Sequence, residues 1–196
     1  LPEEQLKLID KLYENGKRII AVLQTENVID YSFVYKCCAV LQTGLFTNAT
    51  VKALCGILCG AVNPSARTID YCPSNLDVCI NKFDKSTYEY PLGYGLSYSS
   101  FEYTQLNVTQ KGVTFIVKNV SHIDGIDVPQ MYVEYIDENH KPVYKRLKGF
   151  TKVYIRGGES VKVFMPFDEY TFRTYNSEAK CYEIKAGKYR ISVGAN

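Results

Sequence analysis

From Phe101 onward, apolar and polar residues alternate: Val113, Phe115 and Val117, then Met131, Val133 and Tyr135, then Val161, Val163 and Met165. Successive side chains of a strand point to opposite faces, so a period of two marks strands with one face buried and the other wet. Turn-forming residues interrupt the pattern at short intervals. They stand at Lys111-Gly112, Asp124-Gly125, Asn139-His140-Lys141-Pro142, Gly157-Gly158 and Ala186-Gly187. Short strands punctuated this closely pair as antiparallel neighbours and pack as two sheets.

The expected architecture for residues 101–196 is therefore a β-sandwich of fibronectin type III or immunoglobulin kind. The first part of the chain has a different period. Leu6, Ile9, Leu12 and Tyr13 recur at helical spacing after Pro2-Glu3-Glu4, and Asn15-Gly16 supplies a stop. Ile19-Ile20-Ala21-Val22-Leu23 and Cys37-Cys38-Ala39-Val40-Leu41 are continuous apolar runs. Such runs read as strands buried on both faces of a parallel sheet. Residues 28–36 between them read as a short helix. Thr47-Asn48 can cap a further helix that places Val51, Leu54, Cys55 and Leu58 on one face and ends at Gly60. Strand, helix, strand, helix in this order is a βαβ layer. The fold class is thus α/β followed by all-β: a partial α/β sandwich domain over residues 1–84, a linker over 85–100, and the sandwich over 101–196.

Charge and composition exclude several functions. The 23 basic and 21 acidic residues of this 196-residue chain are interspersed, leaving a net charge of +2, so no basic stripe suits nucleic acid. The longest apolar runs, such as residues 51–62, are too short and interrupted to span a bilayer. The chain opens at Leu1 without Met or a signal peptide, which reads as a processed or truncated chain.

Seven cysteines occur, none with C-x2-C spacing, and only two histidines accompany them, so no zinc site is expected. Three N-x-[ST] tripeptides begin at Asn48, Asn107 and Asn119. Sequons beside many cysteines favour a secreted glycoprotein from an oxidising compartment. Cys72 and Cys79 flank a turn and are the candidate disulfide, whereas Cys55 and Cys59, four apart on the second helix, read as two buried thiols.

No catalytic, cofactor-binding or metal-binding residue is assigned. His122 and His140 sit in turns beside Asp124 and Glu138, but no nucleophile completes a dyad. Asp124-Gly125-Ile126-Asp127 lacks the alternating ligands and closing Glu of a calcium loop. Gly93-x-Gly95 precedes no helix and is no dinucleotide fingerprint; its glycines suit a close backbone approach. The 17 tyrosines fit cross-strand packing. A carbohydrate-binding role would need an exposed coplanar pair of them.

Several strings in order resemble the C-terminal part of family 3 glycoside hydrolases, the β-glucosidase and β-xylosidase group. Tyr90-Pro91-Leu92-Gly93-Tyr94-Gly95-Leu96-Ser97-Tyr98 is similar to that family's P-F-G-Y-G-L-S-Y. Val117-Lys118-Asn119, Gln130-Met131-Tyr132-Val133, Leu147-Lys148-Gly149-Phe150, Gly157-Gly158-Glu159-Ser160 and Ala186-Gly187-Lys188-Tyr189 follow in the family's order. Upstream, Leu1-Pro2-Glu3-Glu4-Gln5 resembles its L-P-x-x-Q helix start, and Asn63-Pro64-Ser65-Ala66-Arg67 its N-P-S-G-R.

The resemblance implies a flavodoxin-like α/β sandwich, here partial, followed by a fibronectin type III-like domain. It also implies that the Asp nucleophile and the acid/base Glu lie on polypeptide preceding the Leu1 helix. No position of this sequence matches either, so the chain is not expected to be catalytic on its own. It becomes a glycoside hydrolase only if upstream or partner domains complete it. Residues 44–50 depart from the family's G-x-P-G-Q-E-G-G turn, which favours a non-catalytic module as the alternative. The missing strands should leave an open sheet edge and an apolar face, to be covered by another chain or an upstream domain.

Overall fold

The computed structural model describes residues 1–25, 27–44, 47–77, 80 and 84–194. They form two compact units, Leu1–Val62 with Thr68–Tyr94, and Asn63–Arg67 with Gly95–Asn196.

In the first unit, helix α1 (Glu3–Glu14) starts where Glu3 and Glu4 face the positive end of the helix dipole. It stops at Asn15, after which Gly16 takes a φ of +66° that few side chains tolerate. Strands β1 (Ile20–Leu23) and β2 (Ala39–Gln42) pair in parallel, with Ile20 opposite Ala39 and Leu23 opposite Gln42. The segment between them corrects the expected helix over 28–36. Only Val34–Lys36 is helical, as a 3₁₀ helix. Ile29, Tyr31 and Phe33 instead point alternately into the core, a period of two that helical geometry cannot satisfy.

Helix α2 (Asn48–Leu58) is capped as its sequence implies. Thr47 Oγ1 accepts the Thr50 N–H at 3.3 Å, and the Thr50 hydroxyl oxygen accepts the Thr47 N–H at 3.3 Å. Two short antiparallel strands, β3 (Cys72–Pro73) and β4 (Tyr88–Tyr90), finish the unit. Its core is Leu23, Tyr31, Phe33, Val34 and Cys72, with Leu6 and Ile9 of α1 packed on it.

In the second unit, β5 (Phe101–Thr109), β6 (Gly112–Asn119) and β11 (Ser160–Pro166) form one antiparallel sheet with β6 central. A second sheet has β8 (Gln130–Ile136) between β9 (Pro142–Phe150) and β14 (Lys188–Gly194). Strand β7 (Gly125–Asp127) pairs with β10 (Val153–Ile155), and β12 (Thr174–Asn176) with β13 (Cys181–Glu183). The alternating residues meet as expected: Val113, Phe115, Val117, Met131, Val163 and Met165 share one buried cluster with Ile155. The α/β-then-sandwich class is the observed one.

Candidate functional site

Two features stand out, one in each unit. In the first, the parallel pair β1–β2 is covered on one face only. Ala21, Leu23 and Val40 lie against the core, whereas Ile20 and Val22 remain 54% and 40% exposed. The expectation of strands buried on both faces is therefore corrected. Among the described residues, that second side of the pair is left partly open to solvent. Helix α2 has no fully buried residue, and Leu54 and Ile57 are half-buried. Cys55 on this helix and Cys59 at its C-cap, expected as buried thiols, are exposed.

In the second unit, the sequence Asn63–Arg67 is stitched to the sandwich by polar groups. The Asn63 Nδ2 donates to Ser99 Oγ at 2.8 Å and to the Asp124 carbonyl at 3.0 Å. Its Oδ1 accepts from Ser97 Oγ and from the Tyr98 N–H, both at 2.8 Å. Arg67 donates one Nη to Asp127 Oδ1 at 2.5 Å and the other to the Gly95 carbonyl. Asp127 is 0% exposed; Tyr103 donates its hydroxyl to the second carboxylate oxygen, and the Val128 N–H donates to the first. Burial, then the hydrogen bond to Asp127, pushes the Tyr103 hydroxyl far above its usual range, so it remains a donor. Sequence reasoning passed over Arg67, Tyr103 and Asp127 as a group. The available signal was an acid at an inward position, followed directly by the apolar Val128-Pro129.

The candidates from the sequence fall as follows. Asn48 and Asn107 are exposed. Asn119 is buried, and its Nδ2, the atom a glycan would occupy, donates to the carbonyls of Ile123 and Ile155. The folded sandwich has no room for a sugar there. Cys72 is a free, buried thiol in hydrogen-bonding contact with Tyr31, not half of a bridge, and Cys79 lies outside the described residues.

Asp124 takes the Tyr154 hydroxyl at 2.5 Å and the Gly157 N–H at 3.0 Å, which hold its carboxyl below the usual carboxylate range. Asp168 is held low in the same way by the Thr171 hydroxyl. A general acid for glycosidic cleavage needs the opposite shift. His140 occupies a turn at φ +62°, its N–H bonded to the Asp137 carbonyl. The exposed tyrosines Tyr175 and Tyr182 cross at 66°, so this pair makes no flat platform for a sugar.

Residues 1–98 match the glycosyl hydrolase family 3 C-terminal domain, and residues 127–196 match the fibronectin type III-like domain. The thermostable β-glucosidase B of Acetivibrio thermocellus is 29% identical over 99% of this chain and 30% of its own length. An exo-α-(1→6)-L-arabinopyranosidase of Bifidobacterium longum is 26% identical over 100% of this chain and 30% of its own. The crystal structure of a GH3 β-glucosidase from Bifidobacterium adolescentis superposes with a TM-score of 0.86 at 26% identity, covering 99% of this chain and 33% of that one. The chain spans about a third of the length of these relatives.

Proposed function

The chain belongs to glycosyl hydrolase family 3, through that family's C-terminal domain, and from this we propose that it is the structural, substrate-flanking part of a β-glycosidase-like assembly. Taken alone it is non-catalytic. Retaining hydrolysis needs two carboxyl groups about 5–5.5 Å apart across the scissile bond, one of them kept protonated. Here the buried carboxylate, Asp127, is saturated by Arg67, Tyr103 and Val128, and the displaced carboxyls Asp124 and Asp168 are held ionised.

The observation that carries the reading is the uncovered face of β1–β2. Parallel sheets are stable when both faces are covered, so Ile20 and Val22 await a further layer. Polypeptide of the same protein, or a partner chain, supplies that layer and with it the nucleophile and the acid. The substrate class follows the relatives: a terminal β-glucoside or a related pyranoside. The test is hydrolysis of an aryl β-D-glucoside by this chain alone and by the assembly containing the remaining two thirds of such an enzyme. Turnover only in the assembly supports the reading; turnover by the chain alone overturns it.

A second reading is an extracellular module that kept the fold and shed the chemistry. It is favoured by the departure from the resembled turn, whose Gln-Glu falls on Asn48-Ala49 here, in a helix start capped by Thr47 and Thr50. Secretion is part of this proposal, resting on the exposed sequons at Asn48 and Asn107. A stable complex with a partner, and an assembly that stays silent on aryl glycosides, would favour it.

A further inference from the structure

We propose that the sandwich carries a guanidinium-recognition pocket, and that Arg67 is the ligand it holds in cis, fastening Asn63–Arg67 as a strap. The pocket is lined by Asp127, Tyr103 and the Gly95 carbonyl. Asp127 is wholly buried, with Oδ1 fixed by the Val128 N–H and Oδ2 by the Tyr103 hydroxyl. One lone-pair direction of Oδ1 is left to Arg67, and the Gly95 carbonyl points at the neighbouring nitrogen. A planar fork places two donors on these two acceptors at once; a lysine ammonium, a point charge on a flexible stem, does not. The Arg67 side chain is 10% exposed, and its Nε is buried without a hydrogen-bond partner. The fit is thus to the outer edge of the guanidinium.

Two further features show that the site is shaped for this strap. A Cβ at Gly95 would stand 2.4 Å from the Ala66 carbonyl oxygen, so only glycine lets the two backbones approach. At the other end the Asn63 carboxamide makes four hydrogen bonds, so the strap is held at both ends. Removing Arg67 leaves a buried carboxylate with no compensating cation, which is among the more costly single changes a fold can suffer.

The experiment is thermal unfolding of the full chain and of Arg67→Ala, with methylguanidinium or methylammonium added at equal, non-denaturing millimolar concentration. Arg67→Ala is expected to melt roughly 10 °C lower than the parent. Methylguanidinium should restore part of the loss and methylammonium none, while Arg67→Lys should stay low. A parent-like Arg67→Ala, or equal rescue by the two cations, overturns the proposal. If Arg67→Ala does not fold, the unaltered chain still decides. Of its six arginines, one should show resolved, slowly exchanging Nη–H resonances that Asp127→Asn abolishes. Fast exchange at all six would sink the idea.

Discussion

The Nδ2 of Asn119 donates to the Ile155 carbonyl at 3.1 Å in the interior of the sandwich, where Asn119 is 0% exposed. Its other hydrogen goes to the Ile123 carbonyl at 2.8 Å, and its Oδ1 accepts the Ser121 N–H at 3.0 Å. The side chain therefore serves three backbone groups of the β6 end and its neighbours. Asn119→Ala should cost about 1–3 kcal/mol, because those groups lose partners where water cannot replace them. Urea unfolding measures this. In a glycosylating host, peptide mapping should find sugar confined to Asn48 and Asn107. A glycan on Asn119 of folded protein would contradict the placement.

The thiols divide by exposure. Cys38, Cys55, Cys59 and Cys181 are exposed, and Cys72 is buried. Burial raises the Cys72 thiol above its ordinary value, which lowers the thiolate fraction further. A thiol-specific reagent should modify the four exposed cysteines in the folded chain and reach Cys72 only on unfolding. Mass mapping of the labelled peptides decides it. Early labelling of Cys72 would show that the Leu23–Tyr31–Phe33 core is open.

How far these features could be read in advance depends on their range. The alternation at Val113-Phe115-Val117 and Val161-Val163-Met165 is local, and each strand displays its own inward face. Thr47 and Asn15-Gly16 announce helix ends for the same reason, since caps are made within one turn. Residues 28–36 misled because they hold few turn residues. Their Ile29-Tyr31-Phe33 alternation shows only beside the core they fill. The burial of β1 misled for another reason. Its apolar run suits a strand covered on both sides, whereas Ile20 and Val22 stay partly open to solvent. Arg67 and Asp127 lie 60 positions apart, and no local pattern announces a pair at that separation. A sequon tripeptide such as that of Asn119 carries no record of its burial.

The acid limb of stability should depend on Asp124 and Asp168. The Tyr154 hydroxyl, then the Gly157 N–H, hold Asp124 below its ordinary 3.8, and the Thr171 hydroxyl does the same for Asp168. In both cases the folded chain binds a proton less readily than the unfolded one. Their stabilisation is therefore complete above the unfolded value of about 4 and is lost as pH falls through the lower folded values. Asp124→Asn and Asp168→Asn should each flatten the fall in urea midpoint below about pH 4 while changing its slope little near neutrality. An unaltered acid limb in the double variant would show that these hydrogen bonds are not kept in solution.

The two faces of β1 should respond oppositely to substitution. Leu23 is buried among Tyr31, Phe33 and Val34, so Leu23→Ala removes packed methyl groups and leaves a cavity, at a cost of about 2–4 kcal/mol. Ile20 and Val22 point to the solvent-open side, where a lysine stem can keep the remaining packing while its ammonium reaches water. In the chain alone, Ile20→Lys with Val22→Lys should shift unfolding by no more than about 0.5 kcal/mol. The same pair should reduce binding of a dye that reports exposed apolar surface. In the assembly containing the missing layer the pattern reverses, because two ammonium groups would then have to be buried without partners, and association should fail. Sedimentation of both forms, with and without the remaining polypeptide, reads the difference. Unimpaired assembly by the double-lysine variant would place the covering layer elsewhere on the α/β unit.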